Sequence, residues 1–173
     1  MTEISIRPAS LDDAEGIAGV QVKSWQTTYD GILEKDYLES LEVQSRIQMW
    51  REIVQQEHAV TYVAVEKGYI VGFCNGGPER TKAYAAEGEI YAIYLLKSAQ
   101  QHGLGSKLMA AVAKQLYDRG MSSLLVWVLA DNPSRAFYEK LGAVKVDEEK
   151  VDIGGTKCLE VAYVWNDIAT IIA

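Results

Sequence analysis

No uninterrupted apolar run in the chain is longer than the seven residues from Leu124 to Ala130. A membrane-spanning helix needs about 20 apolar residues, so this run reads as a buried strand. Just upstream, Leu104, Leu108, Val112 and Leu116 repeat at helical spacing and stop near Gly120. Before that helix, Glu89 to Leu96 is rich in Ile and Tyr and reads as another strand. A strand, a helix and a strand in succession require a crossover, and therefore a sheet with a helix on its face.

The remaining segments complete that sheet. Ile4 and Ile6 alternate with polar residues and predict a first strand closed by Pro8. Ser10-Leu11-Asp12-Asp13 reads as a capping box opening a helix that carries Leu11, Ala14, Ala18, Val22 and Trp25. Trp25 to Gly31 breaks the spacing and predicts a bend. A second helical stretch runs from Glu34 to Gln56, interrupted near Leu41 to Gln44. Ala59 to Val65 and Tyr69 to Cys74 predict two strands joined at Lys67-Gly68, the second ended by Asn75-Gly76-Gly77-Pro78. Asp131-Asn132-Pro133 opens a short helix that Gly142 closes. Val144 to Ile153 and Lys157 to Trp165 form a hairpin around Gly154-Gly155. The order β-α-α-β-β-β-α-β-α-β-β predicts an α/β (α+β) fold, a mixed sheet of seven strands with helices on its faces.

With 173 residues, one domain over 1–173 is expected. Seventeen Lys and Arg against 24 Asp and Glu give a net charge of -7. That sign disfavours nucleic acid and mildly favours a cationic substrate. Cys74 and Cys158 are too few and too far apart for a disulfide scaffold, which points to a reducing compartment. Two histidines, His58 and His102, do not make a histidine-rich metal site, and no metal is expected. The start of the chain, Met1 to Arg7, lacks a basic segment followed by an apolar one, so no secretory signal is read there. A cytoplasmic protein without membrane association is expected.

Gln100-Gln101-His102-Gly103-Leu104-Gly105-Ser106 joins a strand to a helix. Glycines there let backbone approach a ligand closely, and the first turn of a helix presents unpaired N–H groups. The pair makes a phosphate pocket, or else only a tight turn. The P-loop and dinucleotide fingerprints are both absent, the latter because Leu108 stands where its third glycine would fall.

Gln100-x-x-Gly103-x-Gly105 resembles the [Q/R]-x-x-G-x-[G/A] signature of the GCN5-related N-acetyltransferases. Asn132 to Gly142, with Phe137-Tyr138 at its centre, is similar to that family's second signature, and the element order matches along nearly the whole chain. Gln101 stands where many members carry another glycine. The resemblance implies a V-shaped gap between the fourth and fifth strands that admits acetyl-CoA. It implies that Ile93, Tyr94 and Leu95 pair with the pantetheine arm and that the amides from Gln101 to Ser106 hold the pyrophosphate. Asn132 would contact the arm or a water, serve as a helix cap, or do both.

Acetyl transfer needs a deprotonated amine, a polarised carbonyl and a proton for the departing thiolate. The amide near Leu95 is the candidate donor to the carbonyl. Tyr138 is the candidate acid at the cofactor arm, or else a core aromatic beside Phe137. Glu89, eleven residues before Gln100, is the candidate base. A catalytic glutamate holds the matching position in histone-acetylating relatives. The alternative is an exposed strand-start carboxylate. Glu89, Tyr91 and Ile93 share one strand face unless a bulge intervenes. The N-terminal helical region builds the acceptor site in this family, which makes Trp25, Thr28 and Tyr29 candidate substrate contacts. Core packing is the competing role for Trp25, and Trp50 and Trp127 are expected in the core. The expected activity is acetyl-CoA-dependent N-acetylation of a primary amine (a small molecule, a polyamine or a protein amino group) by direct transfer. The alternative is a non-catalytic acyl-CoA sensor. Family members are often homodimers, and the apolar segment Ile168 to Ile172 has either a partner or its own sheet to pack on.

Overall fold

The computed structural model describes residues 3–172. Met1, Thr2 and Ala173, which carry the ends of the expected domain and part of the N-terminal reading, lie outside the described residues. Strand β1 (Ile4–Pro8) leads through a short 3-10 turn (Leu11–Asp13) into helix α1 (Ala14–Thr28). Asp13 makes this corner. Its carboxylate accepts the Ser10 backbone N–H at 2.8 Å and the Arg7 guanidinium at 2.7 and 3.0 Å. These bonds, the Arg7 bond foremost, hold the Asp13 carboxyl below the usual range.

The expected stretch from Glu34 to Gln56 is two helices, α2 (Lys35–Glu39) and α3 (Val43–Val54). The break falls where the Ser40 hydroxyl donates back to the Tyr37 carbonyl at 2.6 Å, competing with helix continuation. Trp50 Nε1 donates to Gln21 Oε1 at 2.9 Å and locks α3 onto α1.

Strands β2 (Val60–Glu66), β3 (Tyr69–Pro78) and β4 (Gly88–Leu95) follow, then α4 (Leu104–Asp118), β5 (Leu124–Leu129), α5 (Ser134–Lys140), β6 (Val144–Ile153), β7 (Thr156–Trp165) and α6 (Ala169–Ile172). The seven strands form one sheet in the order β1-β2-β3-β4-β5-β7-β6. All pairs are antiparallel except β4 with β5.

β3 runs past the expected stop at Asn75 because Gly76 and Gly77 are not a turn. They pair with Ile90 and Glu89, and a Cβ on Gly76 would stand 2.8 Å from the Glu89 carbonyl oxygen. The glycines serve close strand approach, not chain reversal.

Both faces of the sheet are covered. α4 buries Leu108, Met109, Val112 and Leu116 against Val126, Val161 and Tyr163. On the other face, Ile17 of α1 and Trp50 of α3 pack on Val63 and Phe73. The apolar end of the chain packs internally, with Ile168 and Ile171 in the α4 core. Among the described residues no helix is long and apolar enough to cross a membrane.

The parallel pair is what opens the molecule. It is laddered only from Gly88–Leu124 to Ile90–Val126, and beyond that the strands part. At the same level β4 carries a bulge. Asn75 pairs with Ala92 and Gly76 with Ile90, leaving Tyr91 as the extra residue.

Candidate functional site

The parted strands frame a cavity of about 1090 Å³. Its walls are the outer half of β4, the end of β5, the start of α4, the turn into α5 and the end of α1.

At one end the α4 N-terminus is free. Gly103 caps it with φ +78°, a left-handed conformation suited to glycine, and a Cβ there would meet only open space. Gln101 before it is also left-handed, at φ +64°. Gln100, Gln101, Gly103, Gly105 and Ser106 line the cavity. Leu104 is buried in the α4 core, which leaves only its backbone for a ligand, and His102 is exposed and outside the lining. Gln100 is the brace of the turn. Its Nε2 donates to the Leu95 carbonyl at 3.1 Å, an oxygen that also accepts the Ser24 hydroxyl at 3.2 Å. Ile93, Tyr94 and Leu95 line the cavity on a stretch of β4 that has no pairing with β5. A free helix N-terminus beside an unpaired strand edge fits a ligand with phosphates and an amide-bearing arm, which is the chemistry of coenzyme A.

Tyr138 stands on the floor, 4% exposed, with Trp165 edge-on at 5.9 Å. It belongs to the core cluster and also lines the cavity. Its hydroxyl has no hydrogen-bond partner among the described residues, and burial pushes its pKa far above the ordinary phenol value. The group is therefore a protonated donor at any working pH.

Asn132 is spent on protein partners. Its Oδ1 accepts the Ser134 N–H at 2.8 Å and its Nδ2 donates to the Tyr29 hydroxyl at 3.1 Å. α5 starts at Ser134, one residue later than the sequence suggests, with Pro133 at the cap position.

The opposite end holds Trp25, Thr28 and Tyr29, all on the cavity wall. Trp25 meets Tyr29 edge-on at 4.9 Å, and its indole N–H is buried without a hydrogen-bond partner among the described residues. Burial also pushes the Tyr29 phenol up. Trp50 is in the core as expected, but Trp127 is not: it is half-buried and lines the cavity, because β5 is uncovered where the strands diverge.

Glu89 is 2% exposed and does not line the cavity. Arg80 Nη2 donates to its Oε2 at 2.7 Å, and the Arg80 backbone N–H reaches its Oε1 at 3.2 Å. The bulge after Ile90 keeps Glu89, Tyr91 and Ile93 from sharing one face. Arg80 itself lines the cavity and lies over the Tyr91 ring at 4.3 Å. Arg80, Tyr91 and Glu160 are wall residues that no local pattern singles out; each is placed by strand pairing or by a partner on another segment.

The model of the acetyltransferase (GNAT) family matches residues 23–143. Over 168 residues, 97% of this chain and 96% of the relative, the sequence is 38% identical to the uncharacterized N-acetyltransferase YuaI of Bacillus subtilis. It is 26% identical to the spermidine N(1)-acetyltransferase of Thermoplasma acidophilum, covering 86% of this chain and 93% of that one. In fold it resembles the crystal structure of the PaiA N-acetyltransferase of T. acidophilum in complex with coenzyme A. The TM-score is 0.70 and the identity 23%, across 92% of this chain and 98% of that one.

Proposed function

The chain belongs to the acetyltransferase (GNAT) family, and from that premise we propose that its cavity takes acetyl-CoA and passes the acetyl group directly to a primary amine. The observation that carries this is the parting of β4 from β5 beside the free N-terminus of α4, with the Tyr138 phenol lining the same cavity. Acetyl-CoA supplies the acetyl group activated as a thioester. The amides at 101–106 hold its phosphates, and the free edge at Ile93 to Leu95 orients its arm. A backbone amide near Leu95 polarises the carbonyl. The amine nitrogen bonds to the carbonyl carbon as the carbon–sulfur bond breaks. Tyr138 gives its proton to the sulfur and is reprotonated from water.

The amine's own proton leaves to water through the mouth of the cavity. A direct base must be within hydrogen-bond reach of that proton. Glu89 is turned away into its ion pair, so in this account it is a positioning residue that fixes Arg80 in the wall. A cytoplasmic setting accords with the two unpaired cysteines and with the supply of acetyl-CoA.

The test is thiol release from acetyl-CoA across a panel of primary amines, with thermal shift by CoA run beside it. Transfer is expected only with an amine present, and Gly103→Val should abolish the CoA shift. A CoA shift without thiol release from any amine would favour the non-catalytic acyl-CoA sensor instead.

A further inference from the structure

Glu160 lies on β7, opposite Leu129 at the end of β5. It lines the cavity with Trp25, Tyr29 and Trp127, and it is half-buried. Other acids withdrawn from solvent have partners: Glu89 has Arg80, Asp13 has Arg7, and Asp147 accepts the Tyr84 hydroxyl at 2.5 Å. Glu160 has neither a hydrogen bond nor an ion pair among the described residues. Its neighbour across the β6–β7 ladder is Glu149, another carboxylate. Arg80, the wall cation whose charge is felt at Glu160, already has its guanidinium on Glu89. A half-buried carboxylate with no ion pair of its own among the described residues, sharing its cavity wall with Trp25, Tyr29 and Trp127, suits a cation that arrives with the ligand.

We propose that Glu160 holds a second ammonium group of the acceptor, one that stays protonated throughout, so that the preferred substrate is a diamine or polyamine; the assignment rests on the acetyl-transfer reading. Two facts favour the second nitrogen over the reacting one. The reacting nitrogen must be neutral to attack, so an ion pair with it is lost when it is needed. Glu160 also sits on β7, on the far side of β5 from the gap, and adjacent strands are about 4.8 Å apart. An alkyl ammonium, with a pKa of about 10.4, keeps its charge at neutral pH. Burial and then the facing Glu149 push the Glu160 carboxyl above its ordinary range, only partly offset by Arg80, an effect a bound cation opposes further.

The test is steady-state kinetics of the wild type, Glu160→Gln and Glu160→Asp at saturating acetyl-CoA, with 1,4-diaminobutane, spermidine and n-butylamine. In Glu160→Gln the KM for both polyvalent amines should rise about tenfold or more, and the KM for butylamine less than about twofold. kcat and the acetyl-CoA KM should hold, and Glu160→Asp should recover part of the loss. An unchanged KM for the diamine, or an equal rise for butylamine, overturns the assignment while the transfer reading stands. Absence of transfer to every amine by the wild type overturns both. Should Glu160→Gln not fold, calorimetry of the wild type decides: the diamine should bind about tenfold tighter than butylamine, and equal affinity overturns the assignment.

Discussion

The Asn132 side-chain amide donates to the Tyr29 hydroxyl at 3.1 Å while its oxygen holds the Ser134 N–H at 2.8 Å. One side chain thus ties the start of α5, which carries Tyr138, to the end of α1, which carries the aromatic wall. Asn132→Ala removes both bonds and leaves a buried phenol without its donor. A loss of roughly 1–3 kcal/mol is expected, with a raised amine KM because Tyr29 is released. Chemical denaturation and kinetics check this. An amine KM equal to wild type would show that Tyr29 is held in place without Asn132.

Tyr138→Phe keeps the ring in its core contacts and removes a hydroxyl that has no hydrogen-bond partner among the described residues. Stability should hardly change. Turnover should fall about 100-fold, the lower end of what a general acid contributes, with little change in the acetyl-CoA KM. Full turnover where chemistry limits the rate would reduce Tyr138 to a packing residue.

Glu89→Gln breaks the ion pair of a buried carboxylate with the exposed Arg80 guanidinium and should lower the melting temperature. The pH dependence of turnover should keep its wild-type shape, since the carboxylate receives no proton from the amine. A turnover lost at neutral pH and restored at high pH would make Glu89 the base after all.

Asp13 provides a pH test of the scaffold. Arg7 and the Ser10 N–H hold its carboxyl below the unfolded value of about 3.9. Because the folded pKa is the lower one, its stabilisation is complete above the unfolded value. It fades as the pH falls through the folded one. Asp13→Asn should cost about 1–2 kcal/mol at neutral pH, and the gap to wild type should close in strong acid. A gap independent of pH would assign the loss to shape and not to charge.

Periodicity and punctuation made the scaffold legible. The α4 stripe, the apolar β5 run and the Gly154-Gly155 hairpin each follow from local chemistry, and so does the glycine turn before α4. What escaped depends on pairing. Gly76 and Gly77 look like a turn until β4 is laid against them. The bulge at Tyr91 belongs to two strands at once, so no single-strand pattern could place Glu89 relative to the cavity. Trp127 has the composition of a core residue and is uncovered only because β4 and β5 diverge beside it. Glu160 is one acidic residue among 24 until the fold gives it a cavity and withholds a cation.

Acetyl transfer from acetyl-CoA to an amine in this cavity is the step on which the other proposals rest. Mass spectrometry of the amine, paired with thiol titration of the released CoA in the same reaction, tests it most directly. Acetylated amine and free CoA should form in equal amounts, and both should be lost together in Gly103→Val. Thiol released without acetylated amine, or neither product from any amine while CoA still binds, would contradict it.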